Sequence, residues 1–322
     1  MRHDDKHSIG GYLSLEVPTN LERYSQSLCV NTGRNALIKL LQDGGYQRVR
    51  LPEYFCPGTA YSINEAGFDV LYYEVDRRLK IGDVKEVWKG SAFVAVNYFG
   101  VLDDYILELC DNFSEGVIVD CTQAFYFRPD KGAAWFNSCR KFFGVPDGAY
   151  LSQDRGAGAT LKRQESHDIS QHLLTRADLG PEEGYEQYKR NNSILASMPV
   201  RKVSRLSERM LRGIDYSHVA SRRRANFAYL HSELSDYNQL DFNLLESSVP
   251  LVYPMMTDNT DLRKKLIAER VYVATYWPGL DEMVGGSSLA HQLATNIVPL
   301  PIDQRYDEAD LSRVAHLVTT FL

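Results

Sequence analysis

The run Val117-Ile118-Val119, ending in Asp120-Cys121-Thr122-Gln123-Ala124-Phe125, constrains this chain more than any other stretch. Three consecutive Val or Ile residues predict a short strand covered on both faces. An acid at the carboxyl end of such a strand sits where open α/β sheets bind ligands. Gln123 follows in the same turn. Lys141 comes later, in Ser138-Cys139-Arg140-Lys141-Phe142-Phe143-Gly144-Val145-Pro146-Asp147-Gly148, just ahead of a Gly/Pro/Asp turn. Its apolar neighbours Phe142 and Phe143 predict a buried ammonium, and burial lowers a lysine's pKa toward a nucleophilic amine. A carboxylate, an amide and a lysine that converge near a strand end suit pyridoxal phosphate, which needs a lysine for its Schiff base and an acid facing its ring nitrogen. Taken singly, Asp120 reads equally as a helix cap, Gln123 as a surface amide and Lys141 as a solvated cation.

The flanking segments predict the sheet that would carry this strand. Val30 to Asp43 reads as a loop feeding a helix, with Ala36, Leu37, Leu40 and Leu41 on one face and Gly44-Gly45 as the stop. Asn31-Thr32-Gly33 then lies at a helix N-terminus, either an ordinary cap or an anion site. Arg48–Leu51, Val70–Val75 and Ala92–Asn97 read as strands. A helix from Pro57 to about Ala66, and a second one capped by Asp103 and ending near Phe113, fall between them. This alternation predicts βαβ units and a mainly parallel sheet sandwiched by helices. Tyr12–Val17 alternates like an edge strand, and Gly156–Ala159 reads as a flexible loop. Pro181–Leu234 is helical with a break at Met198-Pro199. Val249–Tyr253 and Val271–Thr275 read as strands around a helix at Leu262–Ala268, and Asp307–Phe321 as a closing amphipathic helix. The expected organisation is an N-terminal arm (1–25), a large domain (26–215) and a smaller α+β C-terminal domain (216–322).

The Asp-x-x-Gln and Ser-x-x-Lys spacing, with the turn that follows, resembles the pyridoxal-phosphate-dependent sugar aminotransferases of the DegT/StrS group, in fold type I. Thr32-Gly33-Arg34-Asn35-Ala36-Leu37 resembles that family's phosphate loop, with Arg34 where Thr is usual. Leu51-Pro52-Glu53-Tyr54-Phe55, Ala66-Gly67-Phe68, Asn97-Tyr98-Phe99-Gly100, Val271–Pro278 and Val298-Pro299-Leu300-Pro301 follow in the family's order. The resemblance implies that Lys141 carries the cofactor and that Asp120 faces the ring nitrogen. It implies that Gln123 bonds the ring hydroxyl or packs beside it, that Tyr54 or Phe55 stacks on the ring, and that Thr32, Gly33, Arg34 and Ser138 (or Asn137) hold the phosphate. It further implies an amino acid donor such as glutamate, a keto acceptor on a nucleotide-linked sugar, and a homodimer with shared sites. Leu206, Met210, Leu211 and Ile214 fall near one helical face, flanked by Arg205, Arg209 and Arg212, and read either as a dimer face or as internal packing. The competing functional reading is a pyridoxal-phosphate-binding protein with a regulatory or structural role and no turnover.

Composition narrows the classes further. A net charge of −6 argues against a general grip on nucleic acid. The basic cluster Arg222-Arg223-Arg224 reads as a solvated helix face. Five cysteines without a Cys-x-x-Cys pair, and a polar N-terminus, predict a reduced, cytoplasmic protein. No apolar run is long enough for a membrane helix, and the eight histidines fit no metal spacing.

Overall fold

The computed structural model describes residues 11–81, 90–113, 116–129, 132–284 and 288–322; the first ten residues of the expected arm lie outside them. Seven strands form the main sheet: β1 (Ser27–Val30), β2 (Arg48–Pro52), β3 (Asp69–Tyr73), β4 (Ser91–Val96), β5 (Val117–Cys121), β6 (Ala134–Asn137) and β7 (Ala149–Asp154). Their order is β1-β7-β6-β5-β4-β2-β3. The run from β6 to β3 is parallel, and β7 pairs antiparallel with β6 and β1. The central strands β4 and β5 are buried at every position, which is why they read as unbroken apolar runs rather than alternating ones. Helices α1 (Gly33–Asp43), α2 (Pro57–Glu65) and α3 (Asp103–Asn112) make the crossovers.

After the sheet come α4 (Gln171–Leu179), α5 (Tyr185–Ala196), α6 (Arg205–Arg212) and the long α7 (Tyr216–Leu234). A second sheet pairs β8 (Val252–Met256) antiparallel with β9 (Ile297–Pro301). It is accompanied by α8 (Leu262–Ala268), α9 (Leu280–Val284), α10 (Leu289–Asn296) and α11 (Glu308–Phe321). This is the expected mainly parallel sheet flanked by helices, with a small antiparallel sheet beyond it.

Several expectations need correction. Tyr12–Val17 forms no strand, and Tyr12, Leu13 and Leu15 are exposed; alternation without a neighbouring edge cannot make a ladder. Val271–Thr275 is also no strand, although Val271 and Val273 are buried while Tyr272 and Ala274 are exposed. The alternation there is real, but β8 takes β9 as its partner instead. Gly156–Ala159 is not an open loop: Arg155–Gly158 is a short 3-10 turn capped by Asp154. Asp103 is the first helical residue rather than the cap, and its carboxylate accepts from Asn97 Nδ2 and Ser248 Oγ, each at 2.6 Å. Arg223 is not solvated but fully buried. It falls on the inward stripe of α7 with Val219, Phe227, Leu230 and Leu234, so the helical period carries it into the core. There it lies 4.6 Å over the Phe142 ring and donates to the Leu251 carbonyl at 2.8 Å, and burial pulls its pKa down to about 10. Leu211 of the α6 apolar face is buried within its own chain, with Met210 and Ile214 packed on the same core.

The parallel strands end together on one edge. In register, Val96 pairs with Asp120, Asp120 with Phe136, and Cys121 with Asn137. Phe99 and Gly100 turn sharply off the end of β4 with φ of 57° and 71°. A Cβ on Gly100 would lie 2.8 Å from the Gln123 carbonyl oxygen and 3.2 Å from that of Val249. Gly100 is thus fixed twice, by backbone conformation and by close approach. Gly45 shares the first constraint alone, with φ of 66° and open space around its Cβ position. Gly45→Ala is expected to cost about 1–2 kcal/mol, the ordinary left-handed penalty. Gly100→Ala should cost a further ~1–3 kcal/mol from overpacking. Urea unfolding of both variants checks this, and equal losses would show that the contact at Gly100 is relaxed at no cost.

Candidate active site

The site assembles where β5 and β6 end beside the N-terminus of α1. Asp120 is buried, and its Oδ1 accepts from the Thr122 backbone N–H at 2.7 Å. The Thr122 hydroxyl approaches the same carboxylate and also accepts from Lys141 Nζ at 3.0 Å. Lys141 lies in a 3-10 turn, Cys139–Lys141, that leaves β6 through Ser138. Phe142 and Phe143 are buried as expected, but the Lys141 side chain is exposed. Its ammonium is nevertheless desolvated by the protein around it.

Burial and charge oppose each other here. Burial pushes the Asp120 carboxyl up, and Lys141 and the Thr122 bonds pull it partly back. Burial pushes the Lys141 amine down, and Asp120 pulls it partly back. In both groups desolvation wins over the attraction, so each is held nearer its neutral form than in water.

Gln123 is fully buried. Its Oε1 accepts from the Phe99 N–H at 2.6 Å, while its Nε2 has no partner. Asn137 shows the same pattern: Oδ1 accepts from the Tyr150 N–H at 2.9 Å, and the buried Nδ2 has none. An orphaned buried donor costs about 1–3 kcal/mol, so two of them at one strand edge mark a place built to receive acceptors. Thr32 is the N-cap of α1, accepting from the Asn35 N–H at 3.1 Å, which leaves its own proton to donate. Gly33 packs tightly: a Cβ there would lie 3.1 Å from Thr122 Cγ2, 3.2 Å from the Asn137 carbonyl oxygen and 3.7 Å from Ser138 Cβ. Glycine at 33 thereby brings the free N–H groups of the first turn of α1 against the ends of β5 and β6.

The structure therefore brings Lys141, Asp120, Thr32, Gly33 and Ser138 together around Thr122, with the Gln123 amide fixed in the turn that follows. Three expected residues lie differently. The Arg34 guanidinium turns away to donate to the Ala196 carbonyl at 2.8 Å. Tyr54 and Phe55 are both buried in the core. Tyr54 stacks on Tyr98 at 5.3 Å and meets Trp277 edge-on at 4.8 Å, and Phe55 lies 6.3 Å from Trp277. The member of that loop within electrostatic reach of Lys141 is Cys56.

Two residues of the site were not singled out from sequence. Thr122 sits inside the Asp-x-x-Gln spacing, and its place at a strand end was the available signal. Asp147 is the other. Fully buried in the turn after Lys141, it accepts from Ser166 Oγ at 2.9 Å, from the Ser204 N–H at 2.9 Å and hydroxyl at 2.6 Å, and from the Ser207 hydroxyl. That network ties the turn to α6, and only its Pro-Asp-Gly setting is visible in the sequence.

The opposed shifts give a signed expectation. With ¹³C-methyl-labelled lysines, Lys141 should titrate below the ordinary lysine value of about 10.4. Asp120→Asn should lower that midpoint further, because the carboxylate is the largest opposing influence. The linked stability runs the same way: the cost of the buried ammonium is present at low pH and is relieved as pH rises through the depressed Lys141 value toward that of the unfolded chain. A Lys141 midpoint raised by Asp120→Asn would contradict the arrangement.

No family model and no curated relative matches this sequence. Solved structures do match, at low identity and over most of both chains. The sugar aminotransferase CalS13 of Micromonospora echinospora is 17% identical, with a TM-score of 0.62 over 92% of this chain and 88% of its own. DesV of S. venezuelae, solved in complex with a ketimine intermediate, is 17% identical with a TM-score of 0.62 over 92% and 84%. The aminotransferase TlmJ of Streptoalloteichus hindustanus is 16% identical with a TM-score of 0.58 over 92% and 85%. This chain has the fold of the sugar aminotransferases.

Proposed function

We propose that this chain is a pyridoxal-phosphate-dependent aminotransferase that moves the amino group of glutamate to a keto acceptor on a nucleotide-linked sugar. The observation that carries the proposal is the Lys141–Thr122–Asp120 arrangement beside the glycine-tight N-terminus of α1, in the fold that solved sugar aminotransferases share. The residues present fit the cofactor. Gln123 Nε2 is a buried donor without an acceptor, suited to the ring hydroxyl oxygen, and Asn137 Nδ2 is another, near the α1 terminus. The first-turn N–H groups at Gly33 and Arg34, with the Thr32 and Ser138 hydroxyls, form a phosphate cradle that a side chain at 33 would fill.

When bound, pyridoxal phosphate supplies the electron sink that makes the α-proton of an attached amino acid removable. The chain's own groups do the rest. Asp120, buried and facing the site, holds a proton on the ring nitrogen. Lys141 would hold the cofactor, and its free Nζ would move the proton as base and then as acid. Burial makes that amine easier to deprotonate than a solvated lysine. The Thr122 hydroxyl aims Nζ from the side of Asp120. In the net exchange the carbonyl oxygen and the amino group would trade places between glutamate and the keto acceptor, giving 2-oxoglutarate and the amino sugar. A cytoplasmic location is part of the same proposal, supported by five cysteines that are all free thiols. No helix among the described residues is long and apolar enough to cross a membrane.

Borohydride reduction of the cofactor-loaded protein is expected to fix the label on Lys141, read by peptide mapping. Asp120→Asn should retain the fold by circular dichroism while transamination falls about a hundredfold or more. A label on another lysine, or full activity in Asp120→Asn, would remove the proposal's basis.

A further inference from the structure

Two guanidinium groups, those of Arg34 and Arg140, are held on α5 by neutral acceptors. Arg34 donates NH1 to the Ala196 carbonyl at 2.8 Å, and its buried Nε has no partner. Its NH2 lies 3.4 Å from where a Cβ of Gly58 would sit, over the first turn of α2. Arg140 donates NH2 to Asn192 Oδ1. Asn192 and Ala196 are one helical turn apart on α5, so α5 holds the two side chains along one line, anchored about 6 Å apart. Among the described residues neither guanidinium has an acid within ion-pair distance. The setting adds positive potential: Arg34 rests on the amino end of α2, where the helix dipole repels a cation, and Lys141 is Arg140's neighbour in sequence.

Other arginines of this chain are held by carboxylates. Arg155 and Arg163 both pair with Glu208, and Arg305 forms a fork with Asp303. Arg34 and Arg140 are anchored only by neutral acceptors, a carbonyl and an amide. Such anchors fix direction without cancelling charge. Burial lowers the pKa of both; for Arg140, Tyr188 and the more distant Asp147 carboxylate pull it partly back, and Arg34 lowers it. The Arg140 charge reaches the Lys141 ammonium and lowers its pKa. The pair is distinct from the phosphate cradle: Gly33 faces Thr122, Asn137 and Ser138, whereas the next side chain, Arg34, turns to α2 and α5.

We propose that Arg34 and Arg140 form a two-guanidinium clamp for an anionic oxygen group of the substrate, a carboxylate or a phosphate, whose reacting centre lies at Lys141. A planar fork with free N–H groups matches both anions. The inference rests on the aminotransferase reading and names the chemistry that its substrate must carry. A clamp for the donor's side-chain carboxylate and a clamp for the acceptor's diphosphate use the same residues, and two probes separate them.

The test is calorimetric titration of the cofactor-loaded protein with glutarate and, separately, with uridine diphosphate. One of the two should bind, and that probe identifies the clamped substrate. Arg34→Gln and Arg140→Gln should each weaken that probe by about tenfold or more, as expected for a lost charge-assisted bond. Arg34→Lys and Arg140→Lys keep the charge without the fork and should fall between; they also serve if a glutamine variant does not fold. Cofactor affinity should stay unchanged in all four, because the backbone N–H that Arg34 lends to the phosphate cradle is kept. Binding of neither probe, or unchanged affinity in folded variants, would overturn the clamp. Loss of cofactor affinity in Arg34→Gln would also overturn it, by giving that guanidinium to the cofactor's own phosphate. Failure of the aminotransferase reading looks different: no borohydride adduct on Lys141, whatever the anions do.

Discussion

The Thr122 hydroxyl is the contact on which the site depends. It takes the Lys141 ammonium at 3.0 Å and approaches the Asp120 carboxylate, whose Oδ1 the Thr122 backbone also holds. A direct ion pair would neutralise both groups and occupy them. The hydroxyl keeps them within electrostatic reach but apart, so each stays available on its own side. Burial decides the balance. In a low-dielectric surrounding the cost of a charge exceeds the attraction of one bridged partner, and that leaves the amine easier to deprotonate and the acid easier to protonate than in water. The position of Thr122 is set from two directions: β5 fixes its backbone, and Gly33 of α1 packs on its methyl group.

Everything around this contact serves to hold donors open. Phe99 and Gly100 take an unusual backbone path to satisfy one end of the Gln123 amide, which leaves the other end free. Tyr150 does the same for Asn137 through its backbone N–H. Asp147 gathers three serine hydroxyls and a backbone N–H to anchor the turn after Lys141. Beyond it, α5 offers a carbonyl to Arg34 and an amide to Arg140.

Much of this was legible in the chain. Strand β5 announces itself because a strand covered on both faces has to be apolar throughout, and its terminal Asp120 then stands out. Lys141 stands out by its place before the Gly/Pro/Asp turn. What the sequence hides is whatever depends on three-dimensional neighbours. Arg223 looks like a surface cation until α7 is placed and its period carries it inward. Tyr12–Val17 and Val271–Thr275 carry strand-like alternation, but a ladder needs an edge, and alternation cannot say whether one is free. Arg140 is one of many arginines until α5 comes alongside it. Thr122 has no signature at all apart from its neighbours, since hydroxyls at strand ends are common and only the distance to Lys141 gives this one a role.

The account's central claim is that Lys141 and Asp120 serve amino transfer. The absorbance spectrum of the purified protein with pyridoxal phosphate, before and after glutamate and with no acceptor present, tests it most directly. The account predicts that the cofactor's visible band bleaches while one equivalent of 2-oxoglutarate per bound cofactor is released, and that adding a keto acid restores the band. A band that persists under saturating glutamate and other amino donors, with no keto acid formed, would contradict it.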